Sequence, residues 1–372
     1  MKKKIIIVGL LSLIFLSGCW DKVEIDQRIF VSTIGVDLHE ESGMKKYMVT
    51  YEYPNINAIG KNATEDQKVY VHSTPASSIF QAGRELSTQI PFPFYYKHLK
   101  VLILGEKLLN EEKMVRQVID ELNRDTKVNK NIQILAAEGK VSDIINANVI
   151  RAQTTDGVLY SNVKNNRTSG KYTVQTLTGL ISTLDFAGAT VIPRVTVEGD
   201  RYSVSGGCLL KNYKHVAWLD EKENRGLSFV RGQVENEIVD AFYKGDIISF
   251  TVIQSSSNKE VNLDKEIDVT FSVRLEGYLQ GYIIGKDKTA FDMKVIEEME
   301  KVLEEDVKKE IQSIIKKIQK TYKADVIGIG EHLSKFEPKK WREIKDDWDN
   351  IFPDINIDLS VDVKIRRIGL TK

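Results

Sequence analysis

Few residues in this chain have the types and spacing that chemistry requires. The five histidines, His39, His72, His98, His215 and His332, are scattered without metal-ligand spacing. Neither HExxH, GxSxG, GxxxxGK[ST] nor GxGxxG occurs. Gly328-Ile-Gly330 is too short for a phosphate loop and reads as turn glycines. Cys208 and His215 are near enough in sequence for a nucleophile pair, but Cys208 sits in an apolar strand pattern and reads as a buried, inert thiol. Trp218, Trp341 and Trp348 have rings that stack on sugars or aromatic ligands; each also lies on an apolar face, where core packing is the simpler role. The carboxylates fall mostly on charged helix faces, where they are solvated. No catalytic residue, metal or cofactor is expected from these patterns.

Cys19 has a different setting. Lys2, Lys3 and Lys4 form a positive start, and Ile5 to Leu16 is an apolar run broken only by Gly9 and Ser12. Twelve residues cover about 18 Å of helix, well short of the roughly 30 Å hydrocarbon core. Residues 1–18 therefore read as a signal peptide rather than a spanning helix. No later stretch has the roughly 20 apolar residues a spanning helix needs. The run ends in Leu16-Ser17-Gly18-Cys19, which resembles the lipobox of bacterial lipoproteins. In that family the cysteine thiol takes a diacylglycerol, and cleavage leaves the cysteine as the first residue. Two acyl chains meet the two-signal condition for stable anchoring. The alternative is an ordinary secretory signal with an incidental cysteine. Trp20, next to the anchored residue, would lie at the membrane interface, where indole is favoured.

The elements that must carry any such site come from a chain of 372 residues, a length that suggests two or three domains. Hydrophobic residues make up 42% and charged residues 28%, which excludes a disordered chain and a polytopic membrane protein. The 53 basic and 53 acidic residues balance; removing residues 1–18 takes three lysines and no acid, leaving a net charge of −3. Such a surface argues against nucleic acid as the partner. Two cysteines rule out a disulfide framework.

Along the chain, Ile29, Val31 and Ile34 predict a strand before a turn region at Gly35-Val36-Asp37, and after a polar turn at Glu40-Glu41-Ser42-Gly43, Tyr47, Val49, Tyr51 and Tyr53 alternate as a half-buried strand. Thr74-Pro75 is read as a helix start, followed by Ile79, Leu86 and Ile90. His98 to Gly105 and Ile132 to Ala137 read as strands buried on both faces. Between them Asn110 is the expected cap of a helix carrying Val115, Val118, Ile119 and Leu122. Ser161 to Lys171 reads as a loop or hinge, and Leu177 to Leu184 as a short helix. Further strands are expected at Val195–Val197, around Cys208–Leu210, His215–Leu219, Ile247–Gln254 and Ile267–Glu276, with Ser255–Asn258 as the loop joining the last two. From Phe291 to Tyr322 the apolar residues keep a three-four spacing, predicting a helix of about 48 Å. Lying across a sheet is its simplest use, with a coiled-coil arm or membrane-surface helix as alternatives. Trp341, Ile344, Trp348 and Ile351 share one face of a second helix, and Ile355 to Ile365 alternate as a final strand. Strands alternating with helices give an α/β (α+β) fold, multi-domain, with mixed sheets and packed helices. The expected division is a signal peptide at 1–18, then 19–195 and 196–372, the last open to a further division near 280.

Several stretches together resemble the C subunits of GerA-type spore germinant receptors. Cys19-Trp-Asp-Lys-Val-Glu-Ile25 looks like that family's CWDxxEI start, with Trp20, Asp21, Glu24 and Ile25 as the membrane-proximal motif. His98 to Glu106, Gly206 to Leu210 with Ala217 to Gly226, Tyr322 to Gly328, Trp341 to Phe352 and the ending at Ile368-Gly369 follow in the family's order. The resemblance implies a lipoprotein on the outer face of the inner spore membrane. It implies integral membrane A and B subunits as partners and a response to small nutrients. It implies no enzymatic activity and a fold of several α/β domains. Only Cys19 transfers as a functional residue, and no germinant-binding motif does. The rival readings are a substrate-binding lipoprotein of an importer, which needs a cleft with convergent polar groups, and a membrane-anchored hydrolase, which lacks a motif.

Overall fold

A computed structural model describes residues 27–55, 69–150, 156–165, 169–199, 201–263, 266–281 and 293–368. In chain order the strands are β1 (Ile29–Phe30), β2 (Thr33–Glu41), β3 (Met44–Pro54), β4 (Val69–Ala76), β5 (Phe94–Tyr95), β6 (Val101–Gly105), β7 (Gln133–Ala137), β8 (Ala189–Glu198), β9 (Arg201–Lys211), β10 (Lys214–Leu219), β11 (Glu237–Tyr243), β12 (Asp246–Asn262), β13 (Asp268–Gly281) and β14 (Asn356–Ile368).

An eight-stranded sheet has the order β10-β9-β8-β7-β6-β2-β3-β4. Its centre, β2, β6, β7 and β8, is parallel, and antiparallel strands extend it on both sides. Every residue of β6 and β7 is buried, because helices cover both faces. Period-two geometry sorts their side chains. Leu102, Leu104, Ile134 and Ala136 join the core under the helices Ile79–Leu86, Glu112–Arg124 and Leu177–Ala187. Val101, Ile103, Leu135 and Ala137 join the opposite core with Val141, Ile144 and Ile145. A short parallel pair, β1 with β5, sits beside this sheet.

The second sheet is β11-β12-β13-β14, antiparallel except for the parallel β13–β14 pair. The long helix runs from Met293 to Lys316 and finishes in a wider turn at Lys317–Thr321. Its stripe of Met299, Leu303, Val307, Ile311, Ile314 and Ile318 is buried against this sheet, the simplest of the uses its periodicity allowed. The same core includes Val191 of β8, Leu209 of β9 and Leu219 of β10, so the two sheets share apolar packing. Residue 195, the expected division, falls inside β8.

Several local expectations are corrected. β2 runs straight through Gly35-Val36-Asp37 without turning, and the expected polar turn falls at Ser42-Gly43. Gly35 is needed for closeness: a Cβ there would stand 2.3 Å from Val141 Cγ1 of the crossing helix. Thr74 and Pro75 belong to β4, an edge strand, where the missing N–H of proline costs no ladder bond. The helix after it starts at Ile79 and is capped by Ser78. Asn110 ends the short helix Glu106–Leu109, donating to the Glu106 carbonyl, and does not cap the next one. Ser161–Asn165 is a short helix holding Val163 in the core. Ser255–Asn258 are strand residues of β12, paired with Leu275 to Ser272 of β13. The expected helix around the tryptophans is two short helices, Pro338–Ile344 and Trp348–Ile351, joined by a tighter turn.

Candidate functional site

The described residues that combine burial, charge and shape lie where the two sheets meet, around the helix Glu221–Val230. A reciprocal cap starts this helix: Asp220 Oδ1 accepts from the Glu223 amide at 2.8 Å, and Glu223 Oε2 accepts from the Asp220 amide at 2.9 Å. Gly226 lets it approach the long helix, since a Cβ there would stand 2.9 Å from Ile314 Cγ2. Beside that contact Arg225 makes a two-pronged pair with Glu310, at 2.9 and 2.7 Å. Its other nitrogen is 3.7 Å from Glu237, whose carboxylate also accepts from the Gly170 amide at 3.0 Å. Burial opposes the Arg225 charge, yet Glu310 and Glu237 outweigh it and hold the guanidinium above its ordinary range. Asn224, fully buried, donates to the Gly170 carbonyl at 2.9 Å and accepts from Thr173 Oγ1 at 3.1 Å. These bonds fasten the segment Ser169–Thr173, which leads into the first sheet, to the helices of the second.

The segment Ala324–Gly328 follows the long helix and carries the other half of the junction. Asp325 is buried and accepts from the amides of Ile329 and Gly330 at 3.1 and 2.6 Å, satisfying the start of the helix Ile329–Phe336. The carbonyls of the segment face two cations. Arg231 Nε and Nη2 reach Val326 O at 3.2 and 2.6 Å, and Lys259 Nζ reaches Ile327 O and Gly328 O at 2.8 and 2.6 Å. Arg231 Nη1 also donates to Thr173 Oγ1 at 3.2 Å. Burial pushes Arg231 down to about 10, lowers Lys259 and raises Asp325; for Asp325 the amide bonds oppose the rise. Between these groups and the first sheet lies a cavity of about 370 Å³, lined among others by Gln175, Phe186, Thr190, Arg231, Ser257 and Lys259.

Cys19, Trp20, Asp21, Glu24 and Ile25 lie outside the described residues. Cys208 is fully buried in β9, and burial pushes its thiol well above the ordinary value. Its cross-strand neighbour is Trp218, while His215 stands opposite Leu210 and packs against the Trp218 ring at 4.7 Å. Trp341 and Trp348 are buried edge-to-face at 5.1 Å in the C-terminal core, as their apolar spacing predicted. The family resemblance ran through Ala217–Gly226 and Tyr322–Gly328 without saying why; the structure brings both stretches to one junction. Arg231, Ser257 and Lys259 had no signal: Arg231 follows the end of a helix, Ser257 fell in an expected loop and Lys259 is a lone cation after it, all positions that read as solvent-facing. Among the described residues no group of three metal-ligating side chains occurs, and no helix is long and apolar enough to cross a membrane.

The mixed α/β fold and its junction define a class of multi-domain protein with a shared core. Models of the spore germination protein N-terminal domain and of the spore germination B3/GerAC-like C-terminal domain match residues 21–197 and 205–369. The chain is 25% identical to spore germination protein YndF of Bacillus subtilis (strain 168), over 98% of this chain and 96% of that one. It is 27% identical to spore germination protein KC of the same organism, over 98% and 95%. The crystal structure of the GerBC protein superposes with a TM-score of 0.56 at 21% identity, covering 90% of this chain and 97% of the other. The chain belongs to the family of C subunits of GerA-type spore germinant receptors.

Proposed function

We propose that this chain is a non-catalytic, lipid-anchored subunit of a nutrient germinant receptor. Cys19 carries the anchor and becomes the first residue of the mature chain. Trp20, Asp21, Glu24 and Ile25 lie at the membrane surface of the cell, and of the inner membrane in the spore. Residues 19–195 and 196–372 form the two germination domains, and the integral membrane A and B subunits of the same receptor are the partners. The observation that carries this reading is the family match, which runs through both halves of the chain. The polar junction supports it: buried bonds tie the two sheets together, so a displacement of one is felt by the other. The work assigned to the chain is mechanical, passing a change that depends on a small-molecule germinant between the membrane subunits and the rest of the receptor.

The test is germination of spores lacking this chain, against a panel of nutrients and one receptor-independent trigger. Loss of the response to one nutrient set, with the independent trigger intact, is the expected result. A normal response to every nutrient in a strain without paralogous receptors would overturn it. The solute-binding lipoprotein of an importer is the second reading, favoured by the cavity between the sheets. It requires uptake of a solute, rather than germination, to fail in the same strain.

A further inference from the structure

The cavity at the junction has the chemistry of a ligand site. A guanidinium has five N–H donors. Three of those on Arg231 go to Val326 O and Thr173 Oγ1. Lys259 uses two of its three donors on Ile327 O and Gly328 O. Ser257 Oγ is buried on the same wall and has no hydrogen-bond partner in the protein. Three side chains with hydrogen-bonding capacity left, Arg231, Lys259 and Ser257, thus line one cavity. The charges nearby do not cancel. Glu331 is paired with Lys335 at 2.6 Å. Of the remaining charges around Lys259, Arg231 and Lys259 itself face a single carboxylate, Asp325, which is already held by two amides. One positive charge is left over. The rest of the lining is mixed: Val174, Phe186, Ala189 and Val230 offer apolar surface beside Gln175, Thr183 and Thr190, and the carboxylates Asp325 and Glu331 line it as well. A volume of about 370 Å³ is in the range of small-molecule pockets.

We propose that this cavity binds a small organic carboxylate with an apolar body. Its carboxylate is taken by Arg231, Lys259 and Ser257, and its body lies against Phe186 and Val174. The site joins both halves of the chain, so an occupant bridges the segment that follows the long helix and the start of β8 with the helix before it. The proposal does not depend on the membrane anchor or on the receptor assignment.

The experiment uses the mature chain in detergent micelles with three probes: 3-methylbutanoate, its neutral amide 3-methylbutanamide, and inorganic phosphate. Ligand-observed NMR reads binding, and a thermal shift checks it. Saturable binding of the carboxylate is expected, with the amide and phosphate each weaker by about tenfold or more. Lys259→Gln should weaken the carboxylate about tenfold. Ser257→Ala, which removes a hydroxyl without a partner and so leaves the fold intact, should weaken it about threefold. Equal binding of the amide would show that charge is not read. Phosphate binding as strongly would leave only an unspecific anion site. No saturable carboxylate binding, or binding unchanged in both variants, would also overturn the proposal. Each outcome is read on the isolated chain, so it is separate from the germination test.

Discussion

At the scale of single residues, the informative groups are the buried charges. Arg225, Glu310 and Glu237 are each at least 85% buried, so their attraction is little screened. Removing one partner leaves the others desolvated and unpaired. Arg225→Ala is expected to lower the free energy of unfolding by about 3–5 kcal/mol in chemical denaturation. A change below about 1 kcal/mol would mean that water reaches the carboxylates and that the triad is a surface feature. Cys208 gives a second expectation. In the Cys19→Ala chain it is the sole thiol, and its burial keeps it protonated. It should resist iodoacetamide in native buffer and react fully in urea. Rapid labelling of the native chain would contradict the buried position.

At the scale of elements, the long helix does two jobs. Its apolar stripe covers the four-stranded sheet, and Ile311 in that stripe is fully buried. Ile311→Asp places an uncompensated charge there, costing several kcal/mol, and the C-terminal half should lose its cooperative melting transition. Unchanged melting would mean that the stripe is a free partner-binding face. The polar side of the same helix seals the edge strand β14. Glu304 accepts from the Val363 amide at 3.1 Å, and Glu300 from the Ile365 amide at 2.8 Å. An uncovered edge invites pairing with other chains. Replacing both by alanine should speed amide exchange at Val363 and Ile365 by tenfold or more, about 1.4 kcal/mol of protection, and increase aggregation. Exchange at wild-type rates would assign those amides to another cover.

At the scale of the whole molecule, the stretch before Cys19, read as a signal peptide, and the folded body described after it make separate expectations. Cys19→Ala should leave both halves folded but release the chain from membranes. Sedimentation after a high-salt wash is the check, and a variant that stays with the membrane would sink the lipid anchor. The opposite outcome, a released and unfolded chain, would make the anchor part of the fold rather than a tether.

How much of this was legible in the residues differs from place to place. The alternation of Ile355 to Ile365, the near-continuous runs of β6 and β7, and the three-four spacing of the long helix each carry a period, so element type and buried face followed from local pattern. The local signals that failed were turn-like residues used for something else. Gly35 serves a close crossing by the helix at Val141, Pro75 sits harmlessly on an edge, and the serine run of β12 is held by its ladder with β13. A residue type states what a backbone permits, and its neighbours in space decide which permission is used. The same division holds for function. The charged start, apolar run and Cys19 are contiguous, so the anchor is expected from the sequence by itself, and so is the family resemblance, spread over motifs in order. The junction is different. Thr173, Asn224, Arg231, Lys259 and Asp325 span more than 150 positions of chain, and none is unusual where it stands. Only the packing of the long helix against one sheet, and of that sheet's core against the strands of the other, brings these side chains within hydrogen-bonding distance of one another or of the backbone of Ala324–Gly330. Burial, a property of the assembled fold, then turns ordinary polar residues into a fixed and partly unsatisfied set.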